Sequence, residues 1–343
     1  MFDGVGEQDL PSIVIAFLTA FFIAMIIAVP YISLMRKVKA RQTILCYVEQ
    51  HKQKEGVPTM GGTIFLAAAA VACLIFWKGQ NKMAVVALVV TVVYGGIGAL
   101  DDGIKIIMKR NLGLRAYQKI ISQSLIAVLA TYYCYKSDYI GSEVFLPILN
   151  KTVNLSRWYF PLGFLIYIAT TNCVNLTDGL DGLAGTTVAV YLGFVGALVY
   201  LAYKDAIGLG QTFYAEELRN VTIFAAALIG GILGFLWHNS YKASIFMGDT
   251  GSLALGGACA VLPMMIKKPF VIPIVGIMFV VSGVSVIVQV AVYKLKRKRV
   301  FLMAPFHHHL EMKGKNESKI VAFYAIITVI AGAFGLIISY PLA

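Results

Sequence analysis

The chain has 343 residues and a formal net charge of +12, with 59% hydrophobic and only 13% charged residues. Soluble domains carry about 25% charged residues, so this chain has too few polar side chains to cover a water-soluble fold. The composition excludes a soluble enzyme and predicts an integral membrane protein. Because a basic cytoplasmic face is usual in such proteins, the positive charge does not indicate a nucleic-acid partner.

Ten apolar segments follow one another along the chain. A helix needs about 20 mostly apolar residues to cross a bilayer core, and most of the segments approach that length. They lie at 12–34, 60–77, 83–100, 117–135, 157–171, 182–203, 220–237, 251–266, 269–293 and 318–340. The sequence therefore predicts an all-α polytopic membrane protein with about ten transmembrane helices, forming a single domain over residues 1–343.

Basic residues are distributed unequally between the two sides of these segments. One side carries most of the 29 lysines and arginines, in loops at 35–59, 101–119, 172–181, 238–250 and 294–317. Basic loops stay in the cytoplasm, so these five loops are expected to be cytoplasmic and both termini extracytoplasmic. Acids in these loops are candidates for function, because a carboxylate near hydrocarbon is costly.

Asp101 and Asp102 end the third segment, in the string GALDDGIK. If the helix continues, Asp101 and Lys105 share one face, and Asp102 points about 100° away. The spacing predicts that one carboxylate pairs with the lysine while the other is available for a metal ion or a proton. An ordinary ion pair that closes a helix is the alternative.

The string NCVNLTDGLDGLAG begins at Asn172 and also contains Asn175, Asp178 and Asp181, together with three glycines but no lysine or arginine. Glycines let a ligand approach the backbone closely. A helix cap requires only one such polar residue. The string therefore predicts a binding function in addition to a capped turn.

Asp249 stands near the start of the eighth segment, after the string NSYKASIFMG. A carboxylate with nearby hydroxyls and a phosphate provides the oxygen ligands that Mg²⁺ prefers. An acid at this position also complements the helix dipole, so a simple N-terminal cap is the alternative. Phe246 is either an aromatic residue at the membrane interface or a surface on which a base stacks.

Other polar residues of the same loops allow two interpretations each. Lys54, just before the string GVPTMGG, Thr59, within it, and Lys119 are candidates for phosphate contacts, or belong to ordinary basic loops. Gln289 faces the same cavity or bonds a neighbouring helix. The internal triplet 307–309 suits hydrogen-bonded or charged contacts to phosphate, because consecutive histidines point in different directions and do not form a zinc site.

The chain resembles the phospho-N-acetylmuramoyl-pentapeptide transferase family over about residues 35–320. The resemblance is carried by five strings in order: GVPTMGG, GALDDGIK, NCVNLTDGLDGLAG, NSYKASIFMGDTGSLALG and MAPFHHHLE. The PTMGG and HHH strings separate the chain from the sister group that transfers N-acetylglucosamine phosphate to polyprenyl phosphate.

The resemblance implies a homodimer of ten-helix subunits in the inner (plasma) membrane of a bacterium, with the active site facing the cytoplasm. It implies a Mg²⁺-dependent transfer of phospho-N-acetylmuramoyl-pentapeptide from UDP to undecaprenyl phosphate, which releases UMP and forms the first lipid-linked peptidoglycan precursor. The expected partners are UDP-N-acetylmuramoyl-pentapeptide, undecaprenyl phosphate and membrane lipid.

The resemblance also implies roles for individual residues. Asp249 would bind Mg²⁺, and Asp101 is favoured as the base that prepares the lipid phosphate. The implied catalytic residues are Asp101, Asp102, Asp249 and His307. The uridine pocket would contain Lys105, Gly179, Leu180, Asp181, Asn239 and Phe246. The rest of the cleft would contain Lys54, Thr59, Lys119, Asn172, Asn175, Asp178, Gln289, His308 and His309. Direct displacement and a transiently phosphorylated aspartate both remain open.

Two other functions compete with this one. A related sugar-phosphate transferase would use a different nucleotide sugar at the same kind of site. A secondary transporter would place its coupling acids near the bilayer midplane, often on broken helices related by a repeat. Here the acids lie at one end of each segment and the sequence shows no internal repeat, so the sequence favours the transferase and predicts that the five strings converge in one pocket.

Overall fold

The computed structural model describes residues 9–38, 40, 56–109 and 112–340. Most of these residues are helical. Twelve α-helices occur in this part of the chain: α1 (Asp9–Lys37), α2 (Gly62–Phe76), α3 (Lys82–Met108), α4 (Ala116–Lys136), α5 (Tyr159–Asn175), α6 (Leu183–Gly208), α7 (Thr212–Asn239), α8 (Gly248–Met265), α9 (Val271–Val275), α10 (Ile277–Lys296), α11 (Phe306–Met312) and α12 (Glu317–Ser339). Lys54 lies outside the described residues.

Six of the described helices are long and apolar enough to cross a membrane: α1, α3, α6, α7, α10 and α12. The other predicted segments correspond to α2, α4, α5 and α8, which are shorter or less apolar. All residues of α8 except Asp249 are buried. This helix packs against α3, α5, α6 and α2, so protein rather than lipid surrounds it, and it does not need a strongly apolar surface.

The ninth predicted segment, 269–293, is interrupted at Gly276, which separates α9 from α10. The N–H of Gly276 still donates to the carbonyl of Ile272 at 2.8 Å. Pro273 lies in the first turn of α9, where its missing N–H breaks no hydrogen bond within that helix. The expected single helix is therefore a short helix followed by a longer one.

A β-hairpin corrects the all-α prediction. Strands β1 (Glu143–Leu146) and β2 (Lys151–Asn154) are antiparallel, and the turn between them contains Asn150 at φ 47°, a conformation that asparagine tolerates. The N–H of Phe145 donates to the carbonyl of Lys267 at 2.7 Å, which ties the hairpin to the connection between α8 and α9. Two four-residue strands are too short for an alternating apolar pattern to reveal them.

The start of α3, at the end remote from Asp101, is fixed by an acid from another helix. The buried side chain of Glu217, in α7, accepts hydrogen bonds from the N–H of Met83 at 2.7 Å and of Lys82 at 3.2 Å. The first N–H groups of a helix have no partner within that helix, and a carboxylate satisfies them well. Glu217 thereby fixes the position of α3 along the axis of the bundle. It also fixes the position of Asp101 and Asp102 at the other end of α3.

Candidate active site

The described parts of the five strings meet at one end of the helix bundle. The N–H of Phe246 donates to the carbonyl of Pro58 at 2.8 Å, and the carbonyl of Phe246 accepts from the N–H of Gly61 at 2.9 Å. The ring of His307 packs directly against Gly179. The string around Asp102 contacts the string around Asp249, as described next. Segments that are far apart in the sequence thus form one polar region.

Three carboxylates form the centre of this region, and we call Asp101, Asp102 and Asp249 the acidic triad. Each contributes an oxygen, and these oxygens all lie within 4.8 Å of one another. The side chain of Asp101 is fully buried and that of Asp249 is 16% exposed. Because like charges this close repel strongly at low dielectric, the cluster requires nearby cations.

Two lysines supply this charge. The ammonium of Lys105 lies 2.7 Å from Asp101 Oδ2, 2.9 Å from Asp249 Oδ2 and 3.7 Å from Asp102 Oδ1. Lys119, from α4, lies 2.7 Å from Asp249 Oδ2 and 3.0 Å from Asp101 Oδ2. The pair that the four-residue spacing predicts, Asp101 with Lys105, is present. It belongs to a five-member network that local spacing could not reveal.

Asp102 has hydrogen-bond partners that the sequence did not predict. Its Oδ1 accepts from the N–H of Asp249 at 3.2 Å, and its Oδ2 accepts from the N–H and the hydroxyl of Thr250 at 2.9 Å and 2.7 Å. Both oxygens of Asp102 accept hydrogen bonds from the first turn of α8, and Asp102 is still one of the three carboxylates close enough together to hold a metal ion. Asp102 caps that helix from outside, and Asp249 does not cap its own helix.

Small residues allow this close arrangement. A Cβ atom at Gly98 would overlap the carbonyl of Asp249, and one at Gly62 would overlap the backbone of Gly251. The start of α8 therefore packs directly on the backbones of α3 and α2. This contact brings the carboxylate of Asp249 to the end of α3, where Asp101 and Lys105 lie.

Two asparagines of α5 have different partners. The amide of Asn175 donates to Asp249 Oδ1 at 2.8 Å and to the hydroxyl of Ser252 at 2.8 Å, so it holds the oxygen of Asp249 that the lysines do not contact. The amide of Asn172 donates to Gln123 Oε1 at 2.7 Å and to the carbonyl of Ile168 at 2.8 Å. Both N–H groups of Asn172 are thus used within the helix bundle.

Asp178 lies in the turn between α5 and α6, beside the acidic triad. Burial, and then the negative charges of Asp249, Asp102 and Asp181, raise the pKa of the Asp178 carboxyl to about 8. At neutral pH this carboxyl is therefore mostly protonated and can donate a hydrogen bond. A neutral Asp178 also adds no further negative charge to the pocket.

This raised pKa predicts a pH-dependent stability. The folded state holds the Asp178 proton more tightly than the unfolded chain does. The resulting stabilisation of the folded state is fully present below pH 4 and declines as the pH rises to about 8. In buffer with a metal chelator, wild type should lose more thermal stability between pH 5 and pH 9 than Asp178→Asn. Melting temperatures at several pH values measure this, with Asp138→Asn, a change of an exposed acid between α4 and β1, as the control. Parallel melting curves for wild type and Asp178→Asn would contradict it.

Asp181 and Asn239 hold the segment 240–246. Asp181 Oδ2 accepts from the N–H of Ala243 at 3.1 Å. The amide of Asn239 accepts from the N–H of Gly182 at 3.2 Å and donates to the carbonyl of Ile245 at 2.9 Å. These bonds fix the segment before Phe246, whose side chain remains partly exposed.

Thr59 lies at the edge of the acidic triad. Its N–H donates to the carbonyl of Ala40 at 3.0 Å, and its side chain is only 3% exposed. A Cβ atom at Gly248 would lie 2.7 Å from the Thr59 hydroxyl and 2.5 Å from Asp102 Oδ2. The hydroxyl has no hydrogen-bond partner among the described residues, so it is placed to contact a ligand of the triad.

The three histidines lie at the start of α11 and face different surroundings. His307 is buried against Gly179, the residue that precedes Leu180 in the chain. His308 Nδ1 lies 2.9 Å from Glu311 Oε2. His309 Nδ1 accepts from the N–H of Leu302 at 3.1 Å. Partial burial and then the charge of Lys313 lower the pKa of His309, so this ring is neutral at pH 7 and offers hydrogen bonds rather than charge.

Gln289 connects α10 to the segment that precedes the histidines. Its Oε1 accepts from the N–H groups of Val300 and Phe301, each at 3.0 Å, and its Nε2 donates to the carbonyl of Phe301 at 3.1 Å. The sequence left open whether Gln289 faces the cavity or bonds a neighbouring helix. The structure instead shows hydrogen bonds to the following loop.

Sequence reasoning missed several residues of this region. Thr250 and Ser252 belong to a string that was recognised, but their bonds to Asp102 and Asn175 depend on the packing of α8. Gln123, four residues after Lys119, does carry a sequence signal, because an amide within a predicted membrane helix indicates a hydrogen bond to a neighbouring helix. The N–H of Leu114, which donates to Asp101 Oδ1 at 2.6 Å, gives no sequence signal because any residue could supply it.

The helices and the site define a class of protein, the polytopic membrane glycosyl transferases, since residues 83–267 match the Glycosyl transferase family 4 model. Three similar proteins are each named phospho-N-acetylmuramoyl-pentapeptide-transferase. That of Clostridium botulinum (strain Alaska E43 / Type E3) is 42% identical and covers 98% of this chain and 99% of the relative. Those of Clostridium novyi (strain NT) and Thermoanaerobacter sp. (strain X514) are each 40% identical, covering 93% and 94% of this chain and 94% and 97% of the relatives. The chain therefore belongs to the phospho-N-acetylmuramoyl-pentapeptide-transferase family, which confirms the resemblance seen in the sequence.

Proposed function

We propose that this protein transfers phospho-N-acetylmuramoyl-pentapeptide from UDP to undecaprenyl phosphate, releasing UMP and forming the first lipid-linked peptidoglycan precursor. The names of relatives that match nearly the whole chain support the reaction. The structural observation that carries the proposal is the acidic triad with Lys105 and Lys119, located at the ends of membrane helices. A lipid phosphate and a water-soluble nucleotide can meet at that depth.

Charge is the main obstacle to this reaction, because a phosphate must approach a diphosphate. Lys105 and Lys119 supply two positive charges that can turn from the carboxylates to phosphate oxygens. Both side chains retain some exposure, 22% and 25%. Preorganised cations of this kind stabilise charge that develops in a transition state.

We propose that Mg²⁺ completes the charge balance. The three carboxylates of the triad outnumber the two lysines that contact them, and carboxylate oxygens are the ligands that Mg²⁺ prefers. These residues fit the ion, with Asp249 as the principal ligand. Bound Mg²⁺ would polarise the diphosphate and offset its charge.

The members of the acidic triad have different proposed roles. Asp101 is the base for the lipid phosphate in this proposal, as the resemblance implies. Its Oδ1 is fixed by the N–H of Leu114, and its Oδ2 lies beside both lysines, which can bring a phosphate to it. Asp102 contributes by holding the first turn of α8, and therefore Asp249, in place.

We place the uridine in the region around Phe246, beside the turn between α5 and α6. A ring stacked on the partly exposed Phe246 would meet the segment 179–181 and the protonated carboxyl of Asp178, which can donate to a uracil carbonyl. Asn239 would act by fixing the segment that carries Phe246. Lys54, Thr59 and the histidines 307–309 would complete the phosphate and sugar contacts, while Asn172 and Gln289 would hold the cleft from outside.

The proposed topology has ten transmembrane helices, because α2, α4, α5 and α8 pack alongside the six apolar helices. The acidic triad would face the cytoplasm of a bacterium, where its nucleotide substrate is made, and both termini would lie outside. We also propose a homodimer in the plasma membrane, in keeping with the resemblance described above.

The decisive experiment is an exchange assay with purified protein. With labelled UDP-N-acetylmuramoyl-pentapeptide, undecaprenyl phosphate and Mg²⁺, we expect label in the butanol-extractable lipid and an equal amount of released UMP. UDP-N-acetylglucosamine supplied instead should give little product. Turnover only with UDP-N-acetylglucosamine would establish the sister activity, and solute uptake into vesicles without UMP release would establish a transporter.

A further inference from the structure

We propose that Gln123 is a positioning residue for this reaction, an inference that rests on the proposed function. Gln123 lies in the first half of α4 and is fully buried. Its Oε1 accepts a hydrogen bond from the amide of Asn172, in α5, at 2.7 Å. This bond is a polar bridge between two helices that are otherwise joined mainly by apolar packing.

The bridge lies one helical turn from the groups that hold Asp249. Gln123 follows Lys119 by four residues and Asn172 precedes Asn175 by three, so each pair shares a helix face. Lys119 contacts Asp249 Oδ2 at 2.7 Å and Asn175 contacts Asp249 Oδ1 at 2.8 Å. The bond between Gln123 and Asn172 therefore sets the distance between Lys119 and Asn175. These two side chains hold the Asp249 carboxylate from opposite sides.

The hydrogen bonds determine which way both amides point. Asn172 Nδ2 also lies 2.8 Å from the carbonyl of Ile168, and a carbonyl can only accept. The nitrogen of Asn172 must therefore face this side, and Gln123 must present its oxygen to it. An acceptor is needed at position 123, which an apolar side chain of the same length cannot provide.

The surroundings make a purely stabilising role a poor explanation. The nitrogen of Gln123 is buried and has no hydrogen-bond partner among the described residues, an arrangement that costs stability. The Tyr94 hydroxyl donates to the main-chain carbonyl of Gln123 at 3.2 Å, so the backbone here is held without the amide. The amide of Gln123 costs stability while it fixes the positions of Lys119 and Asn175, the two side chains that hold Asp249. This combination fits a functional role better than a structural one.

Gln123→Met tests the inference, since methionine keeps the length of the side chain but removes the acceptor. We expect kcat to fall about tenfold with little change in KM, while the melting temperature in detergent stays the same or rises. The double variant Gln123→Met with Asn172→Leu should be no slower than the slower single variant, because both remove the same bridge. Thr131→Val is the matched control, since Thr131 is buried in the same helix and its hydroxyl donates to the carbonyl of Ala127 within that helix.

A second measurement does not depend on the substrate. Mn²⁺ is a paramagnetic substitute for Mg²⁺, and its binding to the acidic triad can be followed by electron paramagnetic resonance. We expect Gln123→Met to weaken Mn²⁺ binding several-fold and Thr131→Val to leave it unchanged. Wild-type kcat and wild-type Mn²⁺ affinity in Gln123→Met would overturn the inference, as would an activity loss that only follows the loss of folded protein. If wild type itself fails to use UDP-N-acetylmuramoyl-pentapeptide, the proposed function fails, and the Mn²⁺ measurement still decides the role of Gln123.

Discussion

Replacement of Asp249 by alanine is expected to lower turnover by about 10³-fold or more. The carboxylate of Asp249 is the contact point of Lys105, Lys119 and Asn175. Without it, Lys119 keeps only its contact with Asp101 among the three acids, Lys105 keeps Asp101 and the more distant Asp102, and the proposed Mg²⁺ loses its principal ligand. Removal of a single preorganised charge-stabilising group already costs 10²- to 10³-fold in well-studied enzymes, and here a metal ligand is lost as well.

Three measurements check the Asp249 prediction. UMP release at saturating substrate gives kcat, a Mg²⁺ titration shows whether the remaining activity still depends on the ion, and the melting temperature shows whether the variant is folded. Glu143→Gln is the control, because Glu143 forms an exposed ion pair with Lys267 in the β-hairpin, and such pairs contribute little. Near-normal turnover of Asp249→Ala with unchanged Mg²⁺ dependence would remove Asp249 from its proposed role.

The helices are the part of the structure that the sequence predicts best. Length and apolarity are local properties, so each of the ten predicted segments corresponds to a helix or, for 269–293, to α9 and α10 together. Helix ends are less predictable. The segment predicted at 220–237 begins eight residues earlier, at Thr212, because the polar first turns of α7 include Glu217, whose charge is used at the start of α3.

The members of the candidate site are also readable from the sequence, but their partners are not. The pair Asp101 and Lys105 follows from helix periodicity. The capping of α8 by Asp102 joins residues 147 positions apart, and no local pattern contains that information. For the same reason the sequence did not distinguish polar residues that face the pocket from those, such as Asn239 and Gln289, whose amides bond the main chain of a neighbouring loop.

Glycines provide the link between the helices and the site. Gly98 in α3 is unremarkable in the sequence, because glycine is common in membrane helices. In the structure it is the point where α3 meets the backbone of Asp249 and Thr250. The same first turn of α8 receives the cap from Asp102. One helix contact therefore determines the position of all three members of the acidic triad.

Gly98→Ala is accordingly expected to lower kcat by about 100-fold or more, although no side-chain group of the site is removed. The added methyl group would overlap the carbonyl of Asp249, and α8 must move away from α3. Such overpacking typically costs about 1–3 kcal/mol of stability. The displacement would also lengthen the Asp102 cap and separate Asp249 from Lys105, and an error of about 1 Å in catalytic geometry can cost about 10²-fold.

Gly96→Ala is the matched control for this prediction. Gly96 lies two residues away in the same helix, and a Cβ atom there meets nothing within 4 Å. Alanine is favoured over glycine in a helix by up to about 1 kcal/mol, so this variant should be as active as wild type and at least as stable. Comparison of kcat and melting temperature for the two variants separates a general effect of alanine from the specific contact with α8. Equal activities would mean that the α3–α8 contact does not control the acidic triad, because α8 would then accommodate the methyl group without moving Asp249.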